Sequence, residues 1–230
     1  TAYHVGFVLG PCINASGRLD TATRALALLC AEKREEAEKL AGDLYDLNQS
    51  RKAMTEQGKE RAIEEIEIRG LNKDRVLVVY LSECHESLAG IIAGRIRELY
   101  HKPAFVLTKA ENGVKGSGRS IEAYSMYEEL VKCSDLLTQF GGHPMAAGLS
   151  LEEKDIDEFR RRLNADAELT EEDFVPKIWM FMVRFLLGQR PASGPVILFQ
   201  HSTSRPKNPE EVKNMYTFLF QRAILGEIKP

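Results

Sequence analysis

The chain has 230 residues, 43% apolar and 28% charged, with nine prolines and seventeen glycines, the composition of an ordinary soluble globular protein with room for one large core or two small ones. Its longest apolar run, Ile178 to Leu187, is interrupted by Arg184 and falls well short of the roughly 20 residues that a helix needs to cross a bilayer. Disorder, collagen and a membrane span are excluded on these grounds, and the net charge of −3 argues against a broadly basic nucleic-acid binder, since phosphate binding depends on Lys and Arg displacing counterions.

The charge is unevenly spread. Residues 1–173 hold 23 basic and 31 acidic side chains, whereas residues 174–230 hold 8 basic and 3 acidic ones; the change of sign marks a boundary near Pro176. Any anion site in the acidic part must be local, built from a few residues in glycine-rich turns. The four cysteines, Cys12, Cys30, Cys84 and Cys133, form no CxxC pair and are expected to be reduced thiols of a cytoplasmic protein. The chain opens on Thr1 and is expected to be a piece of a longer protein.

In chain order, His4 to Leu9 predicts an opening strand, followed by a small-residue turn, Gly10-Pro11-Cys12-Ile13-Asn14-Ala15-Ser16-Gly17-Arg18. A short helix is expected from Thr21 to Cys30, capped by Asp20. From near Glu32, Leu40, Leu44, Leu47, Met54, Gly58, Ile63 and Ile66 form a helical stripe, with Arg51 as a breach in it. The helix they predict is about 36 residues, or about 54 Å, long. Periodicity alone admits either a coiled-coil arm or a tie between two domains.

Beyond Gly70 the pattern becomes α/β. Val76 to Leu81 predicts a buried strand, Ser87 an N-cap, Leu88 to Tyr100 a helix and Ala104 to Thr108 a second buried strand, together a βαβ unit. A turn at Glu111-Asn112-Gly113 leads to a polar strand, Val114 to Arg119. A helix from Ser125 to Leu137, a Gly-Gly-His turn, a strand near Ala146 to Leu151 and a helix from Asp155 to Leu169 complete the reading. Two further stretches depart from a core pattern. Lys115-Gly116-Ser117-Gly118-Arg119-Ser120 combines two cations, two hydroxyls and two glycines without an acid, suited either to a basic hairpin or to an anion cradle. Phe140-Gly141-Gly142-His143-Pro144-Met145-Ala146-Ala147-Gly148 presents an imidazole from a small-residue loop, able to donate to phosphate or transfer a proton. His85 is a weaker candidate of the same kind, and His101 and His201 are expected at the surface. No HExxH motif or evident paired-carboxylate cluster suited to a two-metal hydrolytic site is present.

The three stretches, in this order around a long helix, resemble the RecJ-type exonucleases of the DHH/DHHA1 phosphoesterase family over residues 3–176. The resemblance implies an α/β DHHA1-type domain with a mixed sheet flanked by helices and preceded by a long connector helix. It divides the chain into the end of a DHH domain (1–30), the connector (31–70), the DHHA1 substrate-binding domain (71–172) and a tail (173–230) that reads as frameshifted or divergent. It further implies a 5′-to-3′ single-stranded-DNA exonuclease of repair and recombination, with Mn2+ or Mg2+ held by an upstream DHH domain and no metal held by this chain. Carried over by motif, Arg18 and His143 act at the scissile phosphate, and Asn14, Gly17, Lys115, Ser117, Gly118, Arg119, Ser120, Gly141 and Gly142 bind the strand. A phosphoesterase acting on short RNA or nucleotide phosphates, and a noncatalytic nucleic-acid-binding or interaction module, are the alternatives.

Overall fold

A computed structural model of the chain describes residues 1–174; the expected tail lies, apart from its first two residues, outside the described residues. Thr1–Thr170 form one compact unit. It opens on three helical segments in direct succession, α1 (Ala2–His4), a π-helical turn (Val5–Leu9) and α2 (Gly10–Leu19), followed by α3 (Ala22–Cys30). The opening strand and the turn after it are therefore corrected to helix. A short apolar run such as His4 to Leu9 has no periodicity that separates strand from helix. Pro11 lies in the first turn of α2 but within a continuous helical run, where its missing N–H removes one ladder bond. The wider π turn, with Gly10 N–H bonded to Val5 O, sits just ahead of it. Thr21, rather than Asp20, occupies the N-cap position of α3.

The long helix, α4 (Arg34–Ile68), runs for 35 residues and buries Leu44, Gly58, Ala62 and Ile66 on one stripe. It ends at Gly70, whose φ of +65° is the left-handed conformation that glycine adopts most readily.

The sheet then forms from β1 (Leu77–Tyr80), β2 (Ala104–Ala110), β3 (Gly113–Arg119), β4 (Leu137–His143) and β5 (Ala146–Leu151), with α5 (Glu86–Tyr100) between β1 and β2, α6 (Met126–Lys132) after β3 and α7 (Ile156–Asp166) after β5. The strand order is β1-β2-β3-β5-β4. The β1–β2 pair is parallel and the other pairs are antiparallel, so the sheet is mixed, as expected. The N-cap of α5 is His85, whose ring nitrogen accepts from Ser87 N–H, which corrects the expectation that Ser87 is the cap. His101 closes the same helix in a left-handed conformation and is a C-cap rather than a plain surface residue.

Two faces of the sheet are packed differently. On one, Leu77, Val79, Ala104 and Val106 meet Leu88, Ile92 and Ile96 of α5 and Ala62 and Ile66 of α4 in a continuous core. Each fully buried Leu or Ile there contributes about 1.5–3 kcal/mol. On the other, Phe105 meets Phe159 of α7 edge to face, with ring centroids 5.6 Å apart. Asn164 clamps α7 to the start of β1: its Oδ1 accepts from Val76 N–H at 2.9 Å and its Nδ2 donates to Val76 O at 3.0 Å.

The largest departure from expectation is β4. The segment 134–143 was expected as the end of a helix and a Gly-Gly-His turn; instead α6 stops at Lys132 and Leu137–His143 form the edge strand. Gly142, at φ +152°, makes this possible: a Cβ there would lie 2.4 Å from Ala146 O, so the close pairing with β5 requires glycine.

Candidate nucleic-acid interface

Side chains directly opposite one another on neighbouring strands share a face of the sheet. The register places Lys115, Ser150 and Gln139 in one row, Ser117, Gly148 and Gly141 in the next, and Arg119, Ala146 and His143 in a third. All three rows lie on the α5 face, and α5 makes its main strand contacts with β2 and β3. The β5–β4 end is left as an open shelf on which Gly141, His143 and Gly148 are exposed. At strand spacings near 4.8 Å, Arg119 and His143 stand about 10 Å apart along their row.

Where α5 crosses β3 it does so on glycine. A Cβ at Gly90 would meet Arg119 Nη2 at 2.7 Å and Ser117 Oγ at 2.9 Å, and Gly94 follows one turn later over Arg119 Cγ. Those bare helix positions let Ser117 and Arg119 lie against the helix, and the Arg119 Nη1 donates to Ser117 Oγ at 3.1 Å and to Gly118 O at 2.7 Å. The α5 N-terminus, β3, β4 and β5 together enclose a cleft of about 490 Å³ lined by Glu86, Ser87, Lys115, Ser117, Gly141 and Gly148 among others. From α2, Arg18 reaches this cleft and donates to Ser87 O at 2.8 Å.

The electrostatics single out the same place. Most arginines in the described residues pair with a carboxylate; Arg18, Arg51, Arg75 and Arg119 have no such partner among the described residues. Arg75 is engaged by Ala167 O. Of the other three, Arg18 lies in the field of both Arg51 and Arg119. Burial first, then Arg18 and Arg97, pull the Arg119 guanidinium below its usual value, and burial first, then Arg18 and Arg95, do the same to Arg51. Cations gathered without counter-ions attract an anion. A second cavity, of about 310 Å³, between α4 and the β1–α5 connection contains Arg61, but Glu83 already pairs with it at 2.9 Å.

The architecture and the cleft have a counterpart among known proteins. The sequence model of the DHHA1 domain matches residues 73–168. This segment is a DHHA1 domain. Over a longer stretch the chain is similar to the single-stranded-DNA-specific exonuclease RecJ of Bacillus subtilis, 43% identical over 176 residues, covering 75% of this chain and 22% of that protein. It is also similar to RecJ of Salmonella typhimurium, 37% identical over 203 residues, covering 85% and 33%. A crystal structure of the exonuclease RecJ bound to manganese superposes with a TM-score of 0.67 at 32% identity, covering 75% of this chain and 43% of that one. The chain spans about a fifth to a third of the length of the curated relatives it matches.

Within and beside the DHHA1 domain, the residues expected to form a site fall into three groups. Asn14, Gly17 and Arg18 share one exposed face of α2 by their three- and four-residue spacing, while Ala15 and Ser16 between them are buried. Nothing lies within 4 Å of where a Gly17 Cβ would be, and the same holds for Gly141. Lys115, Ser117, Arg119, Gly141 and His143 share the cleft face or its shelf. Ser120, Gly118 and Gly142 do not present side-chain space to it. Ser120 is buried and its hydroxyl donates to Tyr124 O at 2.5 Å. Gly118 faces the opposite core, where a Cβ would sit 2.3 Å from Met126 Sδ, and Gly142 serves the strand pairing. The imidazole of His143 accepts from Met145 N–H at its Nδ1, so the neutral ring carries its proton on Nε2. His85, by contrast, is spent on capping, and His201 lies outside the described residues.

Arg51, Asn48 and Gly90 belong to the same surroundings and are not among the expected residues. Arg51 Nε and Nη2 donate to the Oδ1 of buried Asn48, whose Nδ2 donates to Cys12 Sγ at 3.4 Å, tying the connector helix to α2. Their signals were present: Arg51 breaks an apolar stripe, and Gly90 and Gly94 are spaced by four residues on one helix face. The four cysteines are all free thiols. Among the described residues no helix is long and apolar enough to cross a membrane, and no three His, Cys, Asp or Glu side chains converge to hold a metal ion.

Proposed function

We propose that this chain is the strand-holding part of a RecJ-like, single-strand-specific DNA exonuclease that removes nucleotides from a 5′ end in cytoplasmic repair and recombination. One observation carries the reading: Arg119, half-buried beside Ser117 and in the field of Arg18 and Arg97, has no carboxylate partner among the described residues. A phosphate of the strand supplies the missing counter-ion through charge-assisted hydrogen bonds.

The donors available at that point are complementary. Arg119 Nη1 is held by Ser117 Oγ and Gly118 O, which leaves Nε and Nη2 for a phosphate oxygen. Because Ser117 Oγ accepts from Arg119, its own O–H is free to donate to the same phosphate. Arg18, anchored on Ser87 O, adds a second guanidinium from the α2 side, and Asn14 and Gly17 leave that helix face open to the strand. The sugar-phosphate chain then runs over Gly148 and Gly141, where the absence of side chains permits close approach. His143, with its proton on Nε2, donates at the far end of the shelf and stabilises charge on a reacting or neighbouring phosphate.

The solved relatives are complexes with Mg2+ or manganese. Among the described residues no group of side chains fits such an ion. On this reading an upstream DHH domain supplies the metal ligands, and the exposed Tyr3, Phe7, Leu26 and Leu29 of the opening helices provide an apolar surface for it.

The test is single-stranded DNA binding by the 230-residue chain. Arg119→Ala weakens binding of a short oligothymidylate by at least about tenfold, the scale of a lost hydrogen bond to a charged group. Unchanged affinity in a variant that melts like the wild type overturns the assignment.

A further inference from the structure

Lys115 is the second cation of β3, but it differs from Arg119 in one respect. Its Nζ lies 2.8 Å from Glu86 Oε2, with both side chains about half exposed. Glu86 is the first residue of α5, where a carboxylate is favoured by the helix dipole, and both residues line the cleft. The surroundings of the cleft are thus divided: behind Ser117, Arg119 has no carboxylate partner among the described residues, whereas the Lys115 end already contains one carboxylate.

We propose that Glu86 is a built-in competitor for the incoming strand, occupying Lys115 so that the cleft grips one phosphate firmly at Arg119 and a second only when the Lys115–Glu86 pair opens. This rests on the reading of the cleft as a strand-holding site and adds a specificity-determining residue to it. The exposed pair contributes little to folding, so its effect falls on the ligand. Lys115 lies four residues, about 13 Å, along β3 from Arg119, so a strand seated at Arg119 brings a further phosphate toward Lys115, and that phosphate must displace the Glu86 carboxylate and tolerate its repulsion. One strong contact and one contested contact give a grip at a single point with an outer segment free to slide.

The experiment measures binding of a fluorescent oligothymidylate to the full chain as a function of salt, for wild type, Glu86→Gln, Lys115→Met, the double variant and Arg119→Ala. Glu86→Gln tightens binding about threefold to fivefold at low salt, the effect of one unit charge a few ångströms away in water. It also steepens the plot of log affinity against log salt by about 0.7, the slope of one further phosphate on a single strand. Lys115→Met weakens binding more in the Glu86→Gln background than in the wild type. A gain in affinity cannot come from a misfolded variant, which keeps the test decisive. Equal affinity and slope for wild type and Glu86→Gln, or an equal effect of Lys115→Met in both backgrounds, overturns the proposal. If Arg119→Ala loses binding while Glu86→Gln changes nothing, only the competitor role fails. If neither the wild type nor any variant binds, the strand-holding reading fails with it.

Discussion

At the residue scale, the glycines of the two glycine-rich motifs divide into two kinds. Gly118 has no side chain because the core has no room: an added Cβ would meet Met126 Sδ at 2.3 Å and Phe105 Cε1 at 2.6 Å. Gly141 has an ordinary backbone and nothing within 4 Å of an added Cβ. Gly118→Ala is therefore expected to lower stability by about 1–3 kcal/mol through overpacking, measured by urea unfolding. Gly141→Ala should leave stability unchanged or raise it by up to about 1 kcal/mol while weakening oligothymidylate binding, because a methyl group rises from the shelf. Sequence identifies both as glycines in suspicious motifs, but their different duties depend on which face of a strand each occupies. A one-residue difference in position reverses that face. Ser120 shows the same reversal: it follows Arg119 and faces inward, its hydroxyl donating to Tyr124 O.

At the scale of elements, the strands and helices with a strong apolar pattern were legible. The segments β1, α5, β2, β3 and β5 and the long helix α4 lie within a few residues of where the pattern puts them. The exceptions, α2 and β4, are built from small residues whose local preference for turns is overridden by packing: Ala15 and Ser16 are buried under α4, and Gly142 closes on β5. Helix α7 is fixed partly by charge. The Arg162 guanidinium contacts both oxygens of Asp135 at 2.8 Å and also Glu158. Hydrogen bonds from Arg161 and Arg162 hold the Glu158 carboxyl down to about 2 from an ordinary 4.5. A carboxyl depressed in the folded state stabilises it above the ordinary value, and that contribution is lost as pH falls from about 4.5 toward 2. Thermal melts across this range should show a smaller loss of Tm on acidification in Glu158→Gln than in the wild type; parallel curves would show that the Arg161 and Arg162 contacts do not persist in solution.

At the scale of the molecule, function follows from a mismatch of widths. The sheet has five strands, and α5 packs chiefly on β2 and β3, so the β5–β4 end presents a polar, glycine-lined shelf beside the helix's own N-terminus. Beside that step α2 brings Arg18 and β3 brings Arg119, neither with a carboxylate partner among the described residues, and Arg51 of α4 lies within the field of Arg18. This is how a chain of net charge −3 concentrates positive potential in one cleft, which its average composition conceals. The measurement that tests this most directly is a backbone NMR titration of the isotopically labelled chain with a short oligothymidylate. The largest shifts are expected on Arg18, Ser117, Arg119, Gly141 and Gly148, with Asn164 and the rest of α7 unmoved. Shifts concentrated on α6 and α7, with the cleft residues silent, would contradict it.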